Sequence, residues 1–155
     1  MSVTTSIDIT APPAVVREKF LDFPSIPKYT PNGFIRSIAP STLRTTPKDL
    51  QPGDKLDCVL RYGKTSISTT VVVNNPELFS WSASFLGKVI GEHMFRFEEL
   101  DGGGRTRFVH EERFVPALWL LMGENWLARA IGAREETFEG FKGFNQDFKV
   151  WIETT

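Results

Sequence analysis

Cysteine occurs once in the 155 residues, at Cys58, so the chain cannot close a disulfide on itself. Neither sign of charge prevails: 18 Lys and Arg against 19 Asp and Glu leave a net charge of -1. That balance gives no field for gathering nucleic acid or anionic lipid. No apolar run approaches the roughly 20 residues that cross a bilayer, and the densest, residues 117–122, is far shorter. The opening residues lack a basic stretch followed by an apolar one, so no secretory leader is expected and the expected location is cytoplasmic. Repeats, low-complexity tracts and linkers are also missing, and the expectation is one domain over residues 1–155. Tyrosine is scarce at 2, whereas Phe occurs 13 times and Trp 4 times. Bare rings of this kind fill cores and line apolar cavities, because they bury large areas without needing a polar partner.

The pattern of those rings sets the fold class. In residues 2–10, Val3, Thr5, Ile7 and Ile9 alternate with Ser6 and Asp8, as in a half-buried strand. Pro12 and Pro13 stand where a helix begins, and Val15, Val16, Phe20 and Leu21 follow at helical spacing. Pro24, Pro27 and Pro31 leave room for a second short helix near residues 25–30. Period-two patterning then runs from Phe34 to Arg113, predicting strands over 34–38, 55–62, 65–73, 79–85, 89–100 and 105–115. A two-residue turn is expected at Gly63-Lys64 and a Gly-rich one over 101–104. Beyond Pro116 the period changes. Thr137, Phe141, Phe144, Phe148 and Trp151 form one helical stripe, with Glu135, Glu136, Glu139, Lys142, Gln146 and Lys149 opposite. Residues 118–122 read as a separate piece, with Asn125 as a new N-cap. Gly132, Gly140 and Gly143 weaken the last helix by about 1 kcal/mol each, and close approach to another surface is the simplest compensation. Strand, two short helices, six strands and a long helix make an α+β fold, an antiparallel sheet whose apolar face the last helix covers.

Three stretches resemble a known superfamily. They are the opening SIDITAPPAVVREKFLDFPSIPKYTP, the hairpin GEHMFRFEELDGGGRTRFVHEERF, and the terminal amphipathic helix ending in Trp151-Ile152. Together they are similar to the START-like, helix-grip (SRPBCC) proteins, and within them to the polyketide cyclase/dehydrase-like branch. The resemblance implies a seven-stranded curved antiparallel sheet wrapped around the long C-terminal helix, with a hydrophobic cavity between. Ring cyclases, dehydratases, lipid and sterol carriers, hormone receptors and chaperone regulators share that fold, so fold alone does not assign an activity.

The turn at 101–104 fixes a register. With Leu100 opposite Arg105, Phe97 faces Phe108, Phe95 faces His110 and His93 faces Glu112. Alternation puts these six on the ring-bearing inner face and Arg96, Glu98, Arg107, Val109, Glu111 and Arg113 on the outer one. Both histidines and one carboxylate therefore point inward. His93, Glu112 and His110 are the candidate acid–base groups for enolisation, aldol-type closure or dehydration. A self-satisfied cross-strand pair, or a two-His-one-carboxylate metal site, are the alternatives. No metal or other cofactor is expected. Candidate ligand contacts are Tyr29, Tyr62, Trp81, Phe95, Phe97, Phe114 and Phe141. Trp119, Met122 and Trp126 join them because the resemblance implies a cavity wall there. Cys58 reads as a small core residue, Arg129 and Arg134 as a solvated face, and the glycines at 102–104 as a turn without the lysine of a phosphate loop. The expected partner is a small hydrophobic molecule, with no nucleic acid and no membrane insertion. Ring closure or dehydration, passive carriage or sensing, and a chaperone-regulator type of protein contact are the functions left open.

Overall fold

A computed structural model of the chain describes residues 2–115 and 126–155, with side-chain surroundings in the last helix from residue 131 onward. The strands are β1 (Ser2–Ile9), β2 (Ser37–Pro40), β3 (Lys55–Leu60), β4 (Thr65–Asn74), β5 (Leu78–Phe85), β6 (Lys88–Leu100) and β7 (Arg105–Phe114). Helices α1 (Pro13–Leu21) and α2 (Ile26–Tyr29) follow β1, and α3 (Trp126–Thr154) ends the chain. The seven strands form one antiparallel sheet in the order β1-β7-β6-β5-β4-β3-β2. β1 pairs with β7, the last strand, and forms one edge of the sheet, where α3 packs along it.

Curvature has identifiable causes. Val72 is an extra residue on β4, between the pairs Val71–Trp81 and Val73–Ser80. Ile90 is an extra residue on β6, between the pairs Ala83–Gly91 and Ser84–Val89. A bulge bends its strand and increases the local twist, so the sheet wraps towards α3. The helix packs chiefly along β1, and its stripe of Thr137, Phe141, Phe144 and Phe148 is buried with Trp151 partly covered, as the spacing predicts.

One half of the interior is solid. Phe20 sits 4.3 Å from Phe95, 5.8 Å from both Phe79 and Phe97, and 5.9 Å from both Phe23 and Phe108, ring centre to ring centre. Phe148 closes this cluster from α3, 5.0 Å from Phe108. Each ring withdrawn from water contributes about 1.5–3 kcal/mol.

Four expectations change. Strand β2 begins at Ser37 rather than Phe34, because Phe34 turns inward against α3. A Cβ on Gly140 would lie 2.2 Å from the Phe34 ring, so this glycine permits the close approach its cost implied. Gly132 and Gly143 meet nothing within 4 Å among the described residues and have no such reason. The β3–β4 turn takes in residues 61–64, with Arg61, Tyr62 and Gly63 all at positive φ. The alternation breaks there, and Tyr62 leaves the inner face to lie 38% exposed. Phe85, inward by alternation, ends 54% exposed at the tip of β5. The expected separate piece at 118–122 and the cap at Asn125 lie outside the described residues.

Candidate functional site

The register read from the turn at 101–104 is the observed one. His93 pairs with Glu112, Phe95 with His110, Phe97 with Phe108 and Leu100 with Arg105. Asp101, Gly102 and Gly103 take positive φ, and this tight connection locks the strands in step. On the outer face, Arg96 and Arg113 clamp Glu111 at 2.7 and 2.8 Å. On the inner face, His93 and His110 are buried.

The two imidazoles bond to each other, Nε2 to Nε2 at 2.6 Å. His110 Nδ1 meets Asn145 Oδ1 from α3 at 3.2 Å, and Asn145 Nδ2 donates to Thr5 Oγ1 of β1 at 2.9 Å. A polar chain thus crosses the apolar interior from β1 through α3 to β6. Burial pushes the His93 pKa down to about 3 and that of His110 well below its usual range, the neighbouring imidazole adding to the second. Both rings are neutral at physiological pH. Two nitrogens of one tetrahedral metal shell, each at about 2.0–2.1 Å from the ion, stand roughly 3.3 Å apart. The observed separation is that of a hydrogen bond instead. Among the described residues no three His, Cys, Asp or Glu side chains are grouped to hold a metal.

Beyond His93 the interior opens. A cavity of about 230 Å³ lies between β3–β7 and Ala133, Arg134 and Thr137 of α3. Trp81, His93, Glu112 and Phe114 line it, together with Leu60, Ile67, Ala83 and Ile90. Thr65, Thr69 and Thr137 add hydroxyls to the wall, and Arg61 and Arg134 stand there as the cations. Gly91 keeps the backbone bare beside Glu112: a Cβ there would lie 4.0 Å from its Oε1. The Glu112 carboxyl has no hydrogen-bond partner among the described residues. Its enclosure by apolar wall raises its pKa from 4.5 to about 7, with Arg61 pulling weakly the other way. Arg61 is itself engaged, 2.6 Å from Glu136 of α3, which ties the β3–β4 turn to the helix.

Of the residues singled out in the sequence, Trp81, His93, Glu112 and Phe114 share this cavity. His110 stands behind His93. Phe95, Phe97 and Phe141 belong to the packed interior and do not line the cavity; Phe141 stacks on His110 at 3.7 Å and 11°. Tyr29 lies face to face with Trp151 at 4.5 Å and, with Tyr62, borders a separate shallow groove. Trp119 and Met122 lie outside the described residues, as do the surroundings of the Trp126 side chain. Cys58 is core, 3.5 Å from the Thr69 hydroxyl, its thiol pushed up to about 11 by burial.

Asn145 and Arg61 escaped the sequence reading, and Arg134, read there as part of a solvated face, is exposed but also lines the cavity. Asn145 falls four residues after Phe141 and one after Phe144, a lone amide on an apolar stripe, and that interruption was the available signal. The arginines carried none, because a charge at a cavity mouth and one on a solvated face look alike in sequence.

Comparison with known proteins places this geometry. Residues 1–142 match the family model described as polyketide cyclase / dehydrase and lipid transport. No curated protein matches the chain. Among solved structures, a START superfamily protein from Mycobacterium smegmatis is 12% identical with a TM-score of 0.67, covering 99% of this chain and 97% of that one. A protein from Thermus thermophilus is 13% identical with a TM-score of 0.66, covering 99% and 98%. The di-domain ARO/CYC protein of the BE-7585A biosynthetic pathway is 15% identical with a TM-score of 0.64, covering 96% of this chain and 48% of that one. At such identities the likeness is one of fold, and it matches the seven-stranded sheet and gripped helix described above. With the family model spanning nearly its whole length, the chain belongs to the polyketide cyclase / dehydrase and lipid transport family.

Proposed function

We propose that the chain binds a small, mainly apolar molecule in the cavity walled by Trp81, Ile67, Ile90 and Phe114, and that Glu112 is the group that meets its oxygen function. The observation carrying this reading is a carboxyl with no hydrogen-bond partner among the described residues, set in a largely apolar recess, with a pKa raised to about 7. Such a group costs stability unless something uses it. At neutral pH it is divided between acid and carboxylate, so it can donate to a carbonyl or accept from a hydroxyl. It is also the residue on which cyclisation or dehydration would turn. His93, with its low pKa, is a weak base by comparison and serves to orient.

An open cavity supports this reading over that of a chaperone-regulator type of contact surface, which needs a filled interior. Native mass spectrometry of the freshly purified protein, alongside Ala83→Phe, tests it. The wild type should carry or take up an apolar molecule. The variant fills the recess and should bind at least about tenfold more weakly with its melting temperature little changed. Equal uptake by both proteins would sink the proposal. Turnover, if present, should vanish in Glu112→Gln while affinity stays within a few-fold.

A further inference from the structure

The buried polar chain has a direction. Asn145 donates its amide N–H to Thr5 Oγ1, which turns Oδ1 towards His110. An oxygen there can only accept, so His110 carries its proton on Nδ1 and offers a bare Nε2. The bond of 2.6 Å between the rings then needs His93 to donate from Nε2. That leaves His93 Nδ1 without a proton and without a partner among the described residues. His93 is the member of the chain that lines the cavity.

Aromatic rings pack closely around both imidazoles. His93 lies 4.7 Å from Trp81 and 5.0 Å from both Phe95 and Phe141, while His110 is held at 3.7 Å against Phe141 and 4.5 Å from Phe95.

We infer that Asn145 is a positioning residue, acting through His110 to hold His93 as a hydrogen-bond acceptor towards the cavity, so that the site prefers apolar ligands bearing a hydroxyl over their ethers. Directly across the strand pair, the acid form of Glu112 supplies a donor. A hydroxyl satisfies both at once, giving its proton to His93 Nδ1 and accepting from Glu112. An ether can only accept, and would leave the imidazole nitrogen unpaired in an apolar recess. Sites built to bond a hydroxyl reject analogues without one for this reason. The inference rests on the cavity being the ligand site.

Two measurements test it. The first needs no ligand: 15N NMR of imidazole-labelled wild-type protein should show His93 with Nδ1 unprotonated and Nε2 protonated, and His110 the reverse. A protonated His93 Nδ1 would overturn the inference outright. The second compares 2-naphthol with 2-methoxynaphthalene by calorimetry at mildly acidic pH. The naphthol should bind about tenfold or more tightly. In Asn145→Leu that preference should fall to within about threefold, with the histidine resonances losing their fixed pattern. Equal affinity of the two probes for the wild type would refute the selectivity. If neither naphthalene binds, the cavity reading fails and the selectivity falls with it, while the NMR pattern separately decides whether Asn145 orients the pair.

Discussion

Replacing Glu112 by Gln removes a charge from a place where charge is expensive while keeping the side chain's size. The unfolded carboxyl ionises near 4.5 and the folded one near 7, because the apolar wall disfavours the anion. Below the lower value both states are protonated and the residue is neutral in the balance. Between the two values only the unfolded chain loses its proton, so the wild type weakens as pH rises. Above the upper value both are ionised and the full penalty of about 3 kcal/mol is present, at about 1.36 kcal/mol per pH unit. Glutamine never ionises. Urea unfolding followed by tryptophan fluorescence should therefore give variant and wild type nearly equal stability at about pH 4.5, with the variant ahead by about 2–3 kcal/mol at about pH 8. Because the comparison subtracts every other titrating group, the histidines do not obscure it. A difference that stays flat across this range, or a variant weaker than wild type at the alkaline end, would show that Glu112 is solvated or paired and refute the reasoning.

Other outcomes follow from the same geometry. His93 and His110 stay neutral in the fold but titrate near 6.5 when unfolded, so their contribution is lost as pH falls below that value. In Glu112→Gln, which lacks the opposing carboxyl, the unfolding free energy should drop by roughly 2–3 kcal/mol per pH unit between about pH 6 and pH 5. Gly140→Ala drives a methyl into the Phe34 ring and should lower stability by about 1–3 kcal/mol, whereas Gly143→Ala should raise it by up to about 1 kcal/mol; parallel thermal melts compare them. Phe141→Ala removes the ring stacked on His110 and should cost about 3–5 kcal/mol by denaturant unfolding.

What could be read in advance was whatever depends on period and turn chemistry. The Asp101-Gly102-Gly103-Gly104 turn made the β6–β7 register certain enough to pair His93 with Glu112, because a one-residue slip would have turned every ring outward. The helix stripe from Thr137 to Trp151 was legible for the same reason. Depth was not. Alternation says that Phe95, Phe97, Phe114 and Trp81 share a face, but not that the first two are packed solid while the others edge a hollow. That division depends on where α1 inserts Phe20, a contact between elements far apart in sequence. Nor could the partner of His93 be foreseen. The register made Glu112 its neighbour, yet the bond formed is to His110, two pairs further along, and the amide that orients both arrives from a helix 35 residues beyond His110.

The uneven filling of the interior separates two demands that often compete. The rings gathered round Phe20 hold sheet and helix together without help from the hollow end, so the wall residues there are free of most structural duty. Ile67, Ala83 and Ile90 can change in bulk, one or several at a time, and reshape the recess while the sheet keeps its curvature. A scaffold arranged in this way can have its recess reshaped by small steps, each taken away from the residues that hold the fold.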